Sequence, residues 1–270
     1  MAYDIRPLSF GEILDRAFRV YLDNFALLFG ISAVVWIPSG ILLLTASVIG
    51  AGAAAVFNLL FLSVAGPILA AAHIIAVSEV YLDRPITIAE AYRSTRPIIL
   101  PLLGTYLLMG LLLFGPIALI FGVAYALSMP AFMLFAFPAG IAVMYFSISF
   151  ALIGPVMIVE RRFAMAALRR SHELISGSWW LTLGIMLTAG LIAQVPAAGL
   201  KFLWAFIPVI GVLLTALTQA VSSTYSSVAI VIYYFDRRCR TEDFDLRLLA
   251  EQVRAETVTM TPAPGSSSIA

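Results

Sequence analysis

Two hexapeptides of one design set the frame for this chain. Pro7-Leu8-Ser9-Phe10-Gly11-Glu12 reads proline, apolar, hydroxyl, apolar, small, acid, and Pro85-Ile86-Thr87-Ile88-Ala89-Glu90 repeats it. In each, the hydroxyl precedes the acid by three residues, the spacing of a capping box that starts a helix. Each predicted helix is short and amphipathic, and each runs directly into long apolar stretches. A weaker third copy begins near Arg162-Phe163-Ala164-Met165. The exits repeat as well: Asp83-Arg84, Glu160-Arg161 and Asp236-Arg237 follow one another at offsets of 77 and 76, and Glu12 and Glu90 lie 78 apart. Starts and exits therefore share one period. It fits a unit of interfacial helix, span, tight turn and span, in a parallel threefold repeat.

Composition says which solvent such a unit needs. Apolar residues make up 62% of the chain and charged residues 11%, against about 45–50% and about 25% in soluble domains. Apolar runs at about 25–49, 54–82, 97–127, 131–159, 179–200 and 207–235 each reach the ~20 residues that a membrane span needs. The expected fold is thus all-α: a polytopic membrane helical bundle of about six transmembrane helices in three tandem hairpin repeats. A cytoplasmic amphipathic interfacial helix precedes each repeat. Residues 1–256 form a single integral membrane domain with repeats at about 7–84, 85–161 and 162–238, followed by a fourth amphipathic helix at 245–254. From 257 to 270 the chain is Thr, Pro, Gly and Ser with little to bury, which predicts disorder. No cleavable signal is expected, because residues 1–24 are charged and amphipathic throughout.

The charges set an expected topology. The turns at 50–53 and 128–131 hold no charge, and the turn near 201–206 holds only Lys201. The other 15 of the 16 Lys+Arg lie at the opposite ends of the spans, which the positive-inside rule makes cytoplasmic, with both termini inside. Arg16, Arg19, Arg93, Arg96, Arg169, Arg170, Arg237 and Arg238 are the candidate cytoplasmic interface. Membrane lipid is the expected partner, with a cytoplasmic or membrane protein as a further candidate. Nucleic acid is not expected.

Few side chains inside the spans carry chemistry. His73 is read either as a neutral histidine bonded to a neighbouring helix or as a polar cavity or proton site. Glu79, near its span's exit, is read as a solvated or arginine-paired helix end. Gln219, Ser222, Ser223 and Ser226 share one face at i, i+3, i+4 and i+7. They either let two helices approach closely or wall a polar cavity, with Asn58, His73 or Gln194 opposite. Gly66-Pro67, Gly115-Pro116 and Gly154-Pro155 predict bends. Trp36, Trp179, Trp180 and Trp204 read as interface anchors. The chain has one cysteine, Cys239, two histidines, no H-E-x-x-H, no Walker A and no nucleophile elbow. No metal, no cofactor and no catalytic residue is expected.

Three stretches carry a resemblance. They are residues 8–18 (Leu-Ser-Phe-Gly-Glu-Ile-Leu-Asp-Arg-Ala-Phe) with Tyr21, Asn24 and Phe25; residues 170–180 (Arg-Ser-His-Glu-Leu-Ile-Ser-Gly-Ser-Trp-Trp); and residues 233–238 (Tyr-Tyr-Phe-Asp-Arg-Arg) with Glu242, Phe244, Asp245 and Leu246. Together they resemble the membrane domain attached to some bacterial glycerophosphoryl diester phosphodiesterases, which also occurs alone. The resemblance implies a bacterial inner-membrane protein of about six spans. That family's catalytic barrel has no counterpart here, so its hydrolysis is not implied. Two functions are expected to compete. One is a non-enzymatic scaffold or accessory subunit that docks partners or lipid on its cytoplasmic face. The other is a transporter or lipid-handling protein with a polar cavity near His73 and the Gln219/Ser222/Ser226 face.

Overall fold

The computed structural model describes residues 6–45, 49–128, 134–207 and 209–242, and all regular structure among them is helical. The predicted helix at 245–254 and the tail from 257 lie outside the described residues. In chain order the helices are α1 (Phe10–Asp23), α2 (Phe25–Leu44), α3 (Ala51–Tyr81), α4 (Ile88–Thr95), a 3-10 turn (Arg96–Ile98), α5 (Ile99–Ala126), α6 (Ala136–Ser149), α7 (Ile153–Val159), α8 (Ala164–Ile175), α9 (Trp179–Trp204) and α10 (Ile210–Glu242). Five stretches are long and apolar enough to cross a membrane: Phe25–Leu44, Ala51–Tyr81, Ile88–Ala126, Ala136–Val159 and Trp179–Trp204. Their surface matches: Leu100, Leu119 and Phe137 are 83%, 68% and 77% exposed, a density of bare apolar side chains that water does not tolerate. The chain is an all-helical bundle compatible with a multi-pass membrane protein.

α10 falls outside those five because Gln219, Ser222, Ser223, Thr224, Ser226 and Ser227 dilute its apolar character. It is also the helix around which the others pack, touching α1, α2, α3, α7, α8 and α9. The two facts are connected, since a central helix has neighbours to partner its hydroxyls in addition to its own carbonyls. On α2, Gly40 permits a close approach: a Cβ there would stand 2.7 Å from the Cβ of Ala216. Tyr233, Tyr234 and Phe235 fill the core at the far end of α10.

Both capping boxes form. Ser9 Oγ accepts from the Glu12 N–H while Glu12 Oε2 accepts from the Ser9 N–H at 2.7 Å, and Thr87 and Glu90 do the same. The Ser9 N–H, then Arg6, hold the Glu12 carboxyl down at about 2, well below the usual carboxylate range. A depressed folded pKa contributes stability above the unfolded value near 4.5, and that contribution fades as pH falls through the folded value. The melting difference between the wild type and Glu12→Gln is therefore expected to be constant above about pH 4.5 and to vanish towards pH 2. A difference that grew on acidification would show that the cap does not hold a carboxylate.

α1 packs on the bundle through Ile13, Ala17, Val20 and Tyr21, which are buried, while Phe10, Phe18 and Leu22 stay 40%, 47% and 53% exposed. The structure corrects several expectations. Lys201 and Trp204 belong to the last turn of α9, not to the turn after it. α10 does not stop at Asp236 but continues to Glu242. The run at 131–159, expected as one span bent at Gly154-Pro155, breaks outright between α6 and α7 at residues 150–152. Pro155 lacks an N–H for the carbonyl four residues back, so an unbroken helix loses a bond there. The break is closed from α8: Ser171 Oγ accepts from the Leu152 N–H (3.2 Å) and donates to the Ser149 carbonyl (3.1 Å).

Candidate functional site

His73 sits in the interior, 1% exposed, where α2, α3 and α10 meet. Its Nε2 lies 3.1 Å from Ser32 Oγ and 3.2 Å from the Leu28 carbonyl, and Ser32 Oγ lies 2.8 Å from Thr224 Oγ1. The Thr224 hydroxyl donates to the Ala220 carbonyl at 2.8 Å. Each hydroxyl has one proton, so only one direction is consistent. Thr224 must accept from Ser32, Ser32 must then accept from His73, and Nε2 carries the imidazole proton. The chain of donors ends on a main-chain carbonyl, with Ser32 and Thr224 both fully buried. This arrangement ties three helices together.

The polar face expected on α10 does not act as one wall. Ser223 accepts from Trp36 Nε1 at 3.2 Å, and Gln219 Oε1 accepts from the Lys201 ammonium. Ser222 turns to its own helix, donating to the Gln219 carbonyl at 3.4 Å, and borders a different groove. Ser226 is half-buried. Asn58 Oδ1 accepts from Ser39 Oγ at 2.8 Å. Gln194 is exposed on α9 and does not join them. His73 thus pairs with Ser32 and Thr224, not with the expected hydroxyls. Helix rotation explains the split: neighbouring residues point about 100° apart, so Ser222, Ser223 and Thr224 meet three different surroundings. An isolated serine in an otherwise apolar run was the one sequence signal for Ser32.

Two of the grooves that border α10 lie along its N-terminal half. One, about 490 Å³, is lined by Phe18, Phe25, Trp204, Ser222 and Tyr225 among others. The other, about 590 Å³, is lined by Trp36, Ser39, Asn58, Lys201, Trp204 and Gln219 among others. Trp204 borders both, its indole N–H donating to Thr218 Oγ1 at 3.0 Å.

The arginines divide into two groups. Arg170 donates from Nε to both oxygens of Glu160 (3.1 and 2.8 Å) and pairs with Glu242, whose other oxygen accepts from Arg238 Nε at 3.0 Å. Tyr234 donates to Glu160 at 3.0 Å and lies under the Arg238 guanidinium. Arg237, buried, donates to the Leu174 carbonyl at 2.9 Å in the last turn of α8, where a cation is favoured. Asp236 accepts from the Leu8 N–H at 2.7 Å and pairs with Arg240 at 3.1 Å. Arg170, Arg237 and Arg238, expected as docking residues, therefore bind α7, α8 and α10 together. Arg93, Arg96 and Arg169 are exposed. Arg19 is exposed beside Asp15 (3.0 Å), and Arg16 reaches Tyr81 Oη at 3.2 Å. Glu79 stands 3.8 Å from Arg84, an arginine-paired helix end. Glu160 and Glu242 were legible only as acids near arginines. Among the described residues, no group of three or more His, Cys, Asp or Glu could hold a metal ion.

No protein-family model, curated protein or solved structure matches the chain. The resemblance to the phosphodiesterase-associated membrane domain accordingly rests on its short motifs alone.

Proposed function

We propose that the chain is a non-enzymatic, multi-pass protein of the bacterial inner membrane that serves as a scaffold or accessory subunit. On this reading it has about six spans in three hairpin repeats and both termini in the cytoplasm. The short-long-long order of α1–α3 recurs in α8–α10, and in α4–α7 when the broken stretch Ala136–Val159 is counted as one span. Asp83 and Arg161, 78 residues apart, both leave their helices with positive φ (60° and 55°), which supports the repeat. α10 serves as the sixth span despite its hydroxyls, because Thr218, Ser222, Thr224 and Ser227 donate to carbonyls of their own helix, and Ser223 and Thr224 accept from Trp36 and Ser32 on α2. The third copy is looser: no side chain caps α8, whose N-cap position is Phe163.

The observation that carries the scaffold reading is the closed donor chain from His73 through Ser32 and Thr224 to the Ala220 carbonyl. The buried His73 imidazole is committed to holding helices together. Arg93, Arg96 and Arg169 remain exposed, suited to a partner or to anionic lipid at the cytoplasmic face. The second reading, a transporter or lipid-handling protein, is favoured by the two grooves beside α10.

Thiol labelling in reconstituted vesicles separates the two. In a Cys239→Ser background, Gly52→Cys and Ser128→Cys should label only from the extracytoplasmic side. Thr224→Cys should stay inert to water-soluble reagents from both sides. Labelling of Thr224→Cys from one side would replace the scaffold with a water-filled path, and labelling of the two turns from the cytoplasmic side would invert the topology. Photocrosslinkers at Arg93, Arg96 and Arg169 should trap a discrete partner in native membranes. Trapping none would sink the docking role.

A further inference from the structure

Lys201 is the only lysine in the chain. It sits in the last turn of α9, at the end of the bundle away from the arginines. No Asp or Glu occurs between Asp23 and Glu79, between Glu90 and Glu160, or between Glu173 and Asp236. The helix ends around Lys201 therefore supply no carboxylate. A lysine at a membrane interface ordinarily extends its ammonium into the headgroups. This one is half-buried and turns inward, donating to Gln219 Oε1 across the α9–α10 pair. That amide is neutral and takes one of three ammonium protons. A half-buried cation without countercharge is costly unless an anion completes it.

The surroundings are made for such an anion. Lys201 lines the 590 Å³ groove with Trp36, Ser39, Asn58, Trp204 and Gln219. Asn58 uses its carbonyl oxygen to accept from Ser39, which leaves the amide N–H groups as donors on the α3 side. The remaining walls, from residues such as Leu43, Ile207 and Val212, are apolar. Beyond Trp204 lies the apolar 490 Å³ groove. An ammonium and an amide among apolar walls and two indoles suit an amphiphilic anion better than a soluble one.

We infer that the Lys201 groove is a binding site for an anionic phospholipid, whose phosphate is held by Lys201 and Asn58 while its chains lie along the apolar walls. The inference rests on the membrane reading above and is independent of the scaffold role. In a Trp179→Phe/Trp180→Phe background the remaining tryptophans, Trp36 and Trp204, both line this groove. Quenching of their fluorescence by dibrominated acyl chains then reports which lipid occupies it. In mixed bilayers, phosphatidylglycerol should outcompete phosphatidylcholine by about five- to tenfold, the weight of one interfacial cation. Lys201→Met should bring the ratio to about one, and Lys201→Arg should keep it. Should Lys201→Met fail to fold, Asn58→Leu tests the same site from α3 and should lower the ratio about threefold. A wild-type ratio of one, or a ratio unchanged in both Lys201→Met and Asn58→Leu, overturns the site. Loss of the preference on adding millimolar sodium phosphate assigns the groove to soluble phosphate and overturns the lipid. Failure of the wild type to insert into bilayers overturns the membrane reading itself, a result distinct from insertion without lipid preference.

Discussion

Arg170→Ala is expected to lower stability by about 2–3 kcal/mol, because it removes the charged hydrogen bonds that join Glu160 to Glu242 and leaves each carboxylate only its second arginine, Arg162 at 3.5 Å and Arg238 at 3.0 Å. The Arg170 side chain is 15% exposed, between Glu160 at 10% and Glu242 at 20%. Low exposure distinguishes this cluster from surface pairs such as Asp15–Arg19, whose side chains are 60% and 71% exposed and whose worth is a few tenths of a kcal/mol. Unfolding in detergent should therefore shift strongly for Arg170→Ala and barely for Arg19→Ala. The double variant Arg170→Ala/Glu160→Ala should cost less than the sum of its singles, since each removes what the other needs. Additive losses, or a single loss below about 1 kcal/mol, would mean that these arginines are solvated charges. The cluster joins the end of α7, the face of α8 and the last turns of α10. Its loss should also free α8 to proteolysis.

Ser171→Ala should cost about 2–4 kcal/mol, close to the effect of the arginine, although it deletes one oxygen. That oxygen serves both ends of the break between α6 and α7, as acceptor for Leu152 and donor to Ser149. Its removal orphans a buried N–H and a carbonyl, each worth about 1–3 kcal/mol where water is absent. Ser149→Ala is the control. Its hydroxyl donates only to the Tyr145 carbonyl, four residues back in its own helix, and its loss should cost under about 1 kcal/mol. Equal effects from the two serines would show that the break is satisfied in some other way.

The two sites differ in how far the sequence exposed them. Glu160, Arg170 and Arg238 were visible in the sequence as charges near helix exits. Ser171 stood out only as one residue of the 170–180 stretch that carries the resemblance. Nothing in its neighbourhood signals that a helix 20 residues earlier is broken, because Pro155 supplies the lost bond and only packing supplies the repair.

What the sequence determined by itself is local: the helical class, the capping boxes at Ser9/Glu12 and Thr87/Glu90, and the length of the apolar runs. Each follows from residues within a few positions of one another, and in an apolar solvent a run of that length has helix as its way to satisfy its own backbone. What only the tertiary structure decided is which polar groups meet. Ser32 and Thr224 are 192 residues apart, and one residue of rotation on α10 would have offered Ser223 or Tyr225 instead. Rotation and depth are set by the fit of whole helix surfaces, such as Gly40 against Ala216, and no short stretch of sequence contains that fit. The same packing paired Lys201 with Gln219 and left Gln194, two turns earlier on the same helix, exposed.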